Sequence, residues 1–359
     1  MQGGRTVAGS QGRPSVQGGS FWVTDRINVR RLVPGALIDT PPLSRRLLLG
    51  SLGALAAGPA LAAYPERPIT MLHGFAPGGS ADALARVLAP SLGSLLGQTV
   101  LVEPRPGAGG MVASSVISRA PADGYTIGLI TGGHAVAAAF GRNITFDPVG
   151  GFSWISRVVE FGFVIAVRAE NQARDLAALL RSATAANGLT FGSAGTGSTH
   201  HLAGEMLGVM SGAQLVHVPY RGESDAIVGL MAGNLDFAVI TTVTAGPHIQ
   251  GGRLRALAVT APEPLPAFPN VPPVGETVPG YAVTTWAGLA APAGLPEPVL
   301  QRLHQAVIAL SGQPEHRTRL AALVDGRVHT SSPSELRNLV ASEIARWREL
   351  IAARQLTPG

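Results

Sequence analysis

Ile69-Thr-Met-Leu-His-Gly-Phe-Ala-Pro-Gly-Gly-Ser-Ala-Asp82 reads as a buried strand, residues 69–75, entering a Pro-Gly-Gly turn that opens a helix near Ser80. Gly78 and Gly79 let backbone approach a ligand closely, and a helix start leaves N–H groups without intrahelical partners. With the positive end of the helix dipole, those donors form a site for a carboxylate or phosphate. Asp82 stands where a capping acid reaches back to the turn's own N–H groups. A tight turn with no ligand accounts for the same residues equally well.

Outward from this stretch, strand and helix alternate. A helix over 81–96 is apolar at Leu84, Val87, Leu88, Leu92 and Leu95, followed by a strand over 100–103 and the turn Pro104-Arg-Pro-Gly-Ala-Gly-Gly110. A helix to Ala120 and a strand over 126–130 lead to a third small-residue turn, Thr131-Gly132-Gly133-His134. This rhythm predicts a parallel sheet covered by helices on both faces, with Gly-rich turns at strand C-terminal ends, where open α/β sheets bind ligands. A second unit has strands over 161–167, 189–193, 215–218, 237–240 and 254–259, with helices over 172–186, 199–210 and 225–232. The Pro-rich stretch 262–279 reads as an extended connection. A strand over 285–290 and three helices, 296–310, 314–324 and 333–353, complete the chain, each helix with proline where a first turn tolerates it.

The 359 residues suggest two domains, and 46% hydrophobic against 14% charged residues fits a well-buried globular protein. The net charge of +5 is confined to the start of the chain: residues 1–62 hold seven Arg against Asp25 and Asp39, and the remainder is balanced. The folded part therefore carries no electrostatic signal for nucleic acid. Ser44-Arg-Arg-Leu-Leu-Leu49 begins a charge-free run that ends Ala60-Leu-Ala62, the layout of a cleavable export signal with the cut after Ala62. The paired arginines resemble a twin-arginine signal. The run of about 17 residues is shorter than the roughly 20 a membrane span needs.

Few residues suggest catalysis. There is no cysteine, hence no thiolate nucleophile or sulfur-held metal, and no lysine for a P-loop. The second unit's turn, Gly192-Ser193-Ala194-Gly195-Thr196-Gly197-Ser198, mirrors the first but misses the Rossmann order and the hydrolase elbow. His200, His201 and His217 lack the carboxylates of a zinc site, and His201 reads as packing or donating at a helix start. His73 reads as a core histidine. Asp82 and Glu205 are the acids nearest the turns and do not form a glycosidase pair. No cofactor and no metal are expected. Two facing helix N-termini, one per unit, would enclose an anion through backbone dipoles, because neither Gly-rich turn holds a cation.

Several stretches together resemble the Bug-type receptors, the extracytoplasmic solute-binding proteins of tripartite tricarboxylate transporters. They are Tyr64-Pro-Glu-Arg-Pro-Ile69, Phe75-Ala-Pro-Gly-Gly-Ser-Ala-Asp82, Arg105-Pro-Gly-Ala-Gly-Gly110, Ala120-Pro-Ala-Asp-Gly-Tyr-Thr126, Gly192 to Gly204, His217-Val-Pro-Tyr-Arg-Gly222 and Arg253 to Thr260. The resemblance spans about residues 64–355 in order. It implies a type II periplasmic-binding-protein fold of two α/β lobes with a ligand cleft between them, lobe I from 63–165 with 285–359 and lobe II from 166–284. It further implies a monomeric, non-enzymatic periplasmic receptor whose partners are a small carboxylate and the large and small membrane subunits of a transporter. Carried over by position, the site comprises Phe75, Ala76, Pro77, Gly78, Gly79 and Ser80 with Asp82 in support, Thr131 to His134, and Ser193 to Ser198 with His201. Where the family usually has Phe-Asp-Asn at a strand end, this chain has Ile240-Thr241. That departure predicts a preference for carboxylates with apolar or hydroxyl bodies over amino acids, since a buried ammonium needs an acceptor. A sensory receptor would share this fold. The rival of another class is a serine hydrolase built on Ser193 or Ser198 with His201.

Overall fold

A computed structural model of the chain describes residues 64–141, 144–183 and 188–356. The export signal expected before Ala63 lies outside them, as does the end of the helix expected over 172–186. Two sheets organise the described residues. The first lobe begins with β1 (Ile69–His73), α1 (Ser80–Leu96), β2 (Val100–Pro104), α2 (Met111–Ser118), β3 (Thr126–Thr131), α3 (Gly133–Phe140) and β4 (Phe152–Phe161). The second holds β5 (Val164–Arg168), α4 (Leu176–Ser182), β6 (Leu189–Ser193), α5 (Thr199–Ser211), β7 (Leu215–Pro219), α6 (Glu223–Met231), β8 (Phe237–Ile240), α7 (Thr242–Gln250), β9 (Leu254–Val259) and α8 (Val274–Thr277). The chain then returns to the first sheet through β10 (Thr285–Pro292), followed by α9 (Glu297–Gly312), α10 (Pro314–Val324), β11 (Arg327–Val328) and α11 (Pro333–Ala353).

The sheets run β11-β4-β10-β3-β1-β2 and β7-β6-β8-β5-β9. In the first, β2, β1 and β3 are parallel and β10 is antiparallel to both β3 and β4. In the second, β7, β6 and β8 are parallel and β5 is antiparallel to β8 and β9. The parallel sheet expected for the first unit is thus mixed, as is the second. The strands that enter a sheet from the other one, β5 and β10, come in from the opposite end and run against the parallel set, whereas β4 and β9, which leave, run with it. The strand expected over 161–167 is two strands split at Gly162, and β5 belongs to the second sheet from Val164 onward.

The crossing points are tied together by one threonine. Thr260 Oγ1 accepts from the Phe163 N–H at 2.9 Å and donates to the Val283 carbonyl at 2.8 Å. Its backbone N–H donates to the Phe163 carbonyl, and its own carbonyl accepts from Val283 N–H, both at 2.8 Å.

Helix α1 buries Leu84, Leu88, Leu92 and Leu96 with Ala81, Ala85 and Ala89 between them, a stripe at helical spacing that packs on the first sheet. It stops at Gly97, whose φ of 80° closes the last turn in the left-handed region. Helix α11 starts with a full capping box of Ser332 and Glu335, packs on α3 and β4, and accepts from Trp286 Nε1 through Glu343 at 2.6 Å. Among the described residues, no helix is long and apolar enough to cross a membrane.

Candidate functional site

The turn after β1 is built from within. Asp82, buried in the first turn of α1, accepts from the Gly78 N–H at 3.0 Å and from Arg86 Nε at 2.9 Å, with its other oxygen 3.2 Å from His73 Nε2. Burial pushes the Asp82 pKa up, but the Arg86 guanidinium and the Gly78 N–H outweigh it and leave the net shift downward. His73 moves down, burial prevailing over the attraction of Asp82. An ionised Asp82 therefore fixes the turn and leaves the Ser80 N–H pointing into the cleft.

The second lobe's turn is built the same way. Ser198 caps α5, accepting from the His201 N–H at 3.2 Å, and its hydroxyl donates to the Gly195 carbonyl at 2.6 Å. Ser193 Oγ accepts from the Gly195 N–H at 3.0 Å and lies 2.6 Å from His217 Nε2. His201 Nδ1 accepts from the Gly197 N–H at 3.3 Å while its ring stacks on His217 with centroids 4.0 Å apart. Ser193, Ser198 and His201 have no exposed surface. They hold the turn's shape.

The lobes meet turn against turn. Ala76 N–H donates to the Arg221 carbonyl at 3.2 Å, and Ser224 Oγ donates to the Pro77 carbonyl at 3.1 Å. At the other contact, a Cβ on Gly109 would stand 2.6 Å from the Gly197 carbonyl carbon, so only glycine lets these turns approach. Between the lobes a cavity of about 20 Å³ remains, lined by Phe75, Gly79, Ser80, Ala81, Thr131, Phe161, Ala194, Thr199, His200, Glu223 and Thr285. That volume accommodates about one water.

Glu223 dominates this cavity. It opens α6 in the second lobe, is 3% exposed, and reaches across to accept from the Ser80 N–H of the first lobe at 3.0 Å. Its carboxylate also accepts from Thr241 N–H at 2.7 Å, Thr241 Oγ1 at 3.1 Å and His200 Nε2 at 2.8 Å. Four helix starts, those of α1, α5, α6 and α7, converge on it. Burial alone raises its pKa, yet His200 and the Ser80 N–H bring the value down to about 2, so the side chain is an anion at working pH.

Of the expected residues, Phe75, Gly79, Ser80, Thr131 and Ala194 line this cavity, and Thr241 meets it through Glu223. Gly195 and Thr196 face a wider opening of about 580 Å³ with Tyr220, Arg221 and Asp225. Ala76, Pro77 and Gly78 meet the second lobe's Arg221 and Ser224 beside the cavity. Gly132 is pressed on Thr285 and Gly133 on Ser198 and the Gly109 carbonyl. Two placements correct the sequence reading. His134 lies in the first lobe's core, bonded to the Ser114 hydroxyl at 3.0 Å and the Pro148 carbonyl at 2.7 Å, because α3 begins at Gly133 and turns its ring inward. Ile240 is fully buried in the second lobe's core with Val164, Ile227 and Leu230, so it gives the cleft no surface.

The sequence reading missed Glu223, His200, Thr199, Phe161 and Thr285. It named Asp82 and Glu205 as the nearest acids, whereas the acid in the cleft is Glu223. The available signal was Gly222 followed by an acid at the start of a helix, a further Gly-to-helix junction that a helix drawn from Asp225 leaves out. The rival Ser193–His201 dyad is replaced by Ser193–His217. His217 is driven down to about 3, by burial first and by the His201 ring second, which makes it a weak base at neutral pH. Among the described residues no cluster of three metal-ligating side chains occurs.

Residues 84–356 match the family model described as the tripartite tricarboxylate transporter family receptor. The chain belongs to that family. A UPF0065 protein from Pseudomonas sp. (strain P51) is 35% identical to this receptor over 299 residues, 82% of this chain and 89% of that protein. The solved periplasmic binding protein BugD is 31% identical with a TM-score of 0.78, covering 82% of this chain and 99% of its own. An R. palustris protein solved with adipate is 29% identical, also at a TM-score of 0.78, covering 81% and 98% of the two chains. The receptor therefore has the two-lobed fold of periplasmic solute-binding proteins.

Proposed function

We propose that this receptor captures a small carboxylate between its lobes and hands it to the large and small membrane subunits of a tripartite transporter. The observation that carries this reading is the convergence of helix starts from both lobes on one buried carboxylate position, with the Ser80 N–H of one lobe and the Thr241 N–H and His200 of the other as donors. The adipate held by the R. palustris relative supports the ligand class. Beside the anion position, Phe75, Phe161 and Ala81 supply apolar surface, and Thr131, Thr199 and Thr285 supply hydroxyls. Apart from Glu223 and its partner His200 the lining holds no carboxylate, only apolar surface and hydroxyls, so dicarboxylates with apolar or hydroxyl bodies are favoured over aspartate and glutamate.

The role is non-enzymatic and the receptor acts as a monomer in the periplasm, exported by the cleavable signal ending at Ala62, with the paired arginines directing the twin-arginine route. Native mass spectrometry of the purified receptor followed by calorimetry with succinate, adipate and malate against aspartate and glutamate tests the reading. The dicarboxylates are expected to bind more tightly. Tighter binding of the amino acids defeats the selectivity argument, and ester hydrolysis lost in Ser193→Ala defeats the receptor reading itself.

A further inference from the structure

An ionised carboxylate offers about four lone-pair directions, and on Glu223 all four are taken: by Ser80 N–H, Thr241 N–H, Thr241 Oγ1 and His200 Nε2. Three of these donors belong to the second lobe, as Glu223 does. The fourth, Ser80 N–H, is the first free donor of α1, at the turn where a captured carboxylate is expected to sit. The remaining space of about 20 Å³ holds a water and not a dicarboxylate. With the lobes together, the anion position is filled by the chain itself.

Burial of this charge is tolerated only because every donor around it is matched. An empty position would leave two backbone N–H groups and an imidazole N–H facing one another without an acceptor, which is costly in a buried site. Glu223 supplies that acceptor from the second lobe and in doing so bonds that lobe to the first. A ligand carboxylate seeks the same donors. Both cannot be present at once, since two carboxylates sharing one set of donors repel at close range.

Resting on the carboxylate-receptor reading above, we infer that the Glu223 carboxylate is an intramolecular occupant of the ligand's anion site, which holds the lobes together in the empty receptor and is displaced when a ligand carboxylate binds. The apparent affinity for ligand is then lowered by the fraction of receptor held in the self-occupied state. Glu223 thereby sets the threshold concentration at which the receptor responds, and it favours ligands with two carboxylates or additional hydroxyls, whose other contacts drive the exchange.

The test uses three variants of the ligand-free receptor in small-angle scattering. Glu223→Gln keeps the shape but turns an NH₂ toward donors. Glu223→Ala removes the anion. Ser80→Pro deletes the first lobe's N–H donor together with the Ser80 hydroxyl, at a helix position that accepts proline. Each is expected to be more expanded than the wild type, and acetate at millimolar concentration is expected to recompact Glu223→Ala by filling the vacated site. Calorimetry with the same dicarboxylate panel should show Glu223→Gln binding at least about tenfold more tightly. Variants as compact as the wild type without acetate, or a Glu223→Gln that binds the dicarboxylates more weakly, overturn the inference. If Glu223→Ala expands and acetate recompacts it while no dicarboxylate binds any form, the self-occupied site stands and the receptor reading falls.

Discussion

Closure of the lobes is expected to fail in Gly222→Ala for a reason separable from folding. Gly222 has φ 178° and ψ 174°, an extended backbone open to any residue, so the change introduces no backbone strain. An added Cβ would lie 3.0 Å from the Ala76 Cβ and 3.1 Å from the Ala76 N, atoms of a rigid turn in the other lobe. Crowding of this kind costs about 1–3 kcal/mol in packed interiors. The lobes relieve it by separating, which also gives up the bond from Ala76 N–H to the Arg221 carbonyl. Carboxylate affinity should therefore fall by about 5- to 150-fold. The unfolding free energy should stay within about 1 kcal/mol, because the loss of a glycine N-cap offsets the lower entropy of the unfolded chain. Calorimetry gives the first quantity, denaturant titration the second, and scattering the degree of opening. A variant with wild-type affinity and wild-type compactness refutes the reasoning, since the approach of Gly222 to Ala76 would then play no part in closure.

Acid should destabilise the receptor over two overlapping ranges. His134 and His217, held neutral by burial with pKa values lowered from 6.5 to about 4 and about 3, give stability that is full above 6.5 and declines as pH falls toward those values. Glu223, lowered from 4.5 to about 2, contributes roughly 3 kcal/mol above 4.5 that is lost as pH falls toward 2. Denaturant titrations over this range should show Glu223→Gln with a shallower lower part of the slope and an unchanged upper part; an unchanged lower part counts against the ion. Ile240→Val should cost about 0.5–1.5 kcal/mol and leave ligand preference untouched, and Ile240→Asp should cost several kcal/mol through an unpaired buried charge. A changed preference in Ile240→Val would return that residue to the cleft.

What the sequence made legible depended on the range of the interaction. Helix α1 was readable because Leu84, Leu88 and Leu92 recur at its own period, and Asp82 because its partner Gly78 is four residues away. Strand β4 was not, since Trp154, Ile155 and Ser156 are buried in succession, as are Val158 and Val159, and residues hidden on both faces of a sheet do not alternate. Helix α7 hid behind Thr242, Thr244 and Pro247, poor helix formers placed by tertiary packing. Glu223 was the least legible of all. Its decisive partner, Ser80, is 143 residues away, and no local periodicity announces a carboxylate that acts on another lobe. His134 and His200 both follow Gly-rich turns, and only the phase of each helix decides which ring faces the cleft.

The lacing of Phe163 and Val283 by Thr260 has a kinematic consequence. Two chain crossings define a line, and fastening them to each other leaves the lobes one free coordinate, the rotation about that line. Whatever occupies the cleft is thereby projected onto a single angle. A surface that touches both lobes at once senses that angle and nothing of the chemistry inside, so recognition of the molecule and recognition of the receptor's state are carried by different parts of one chain.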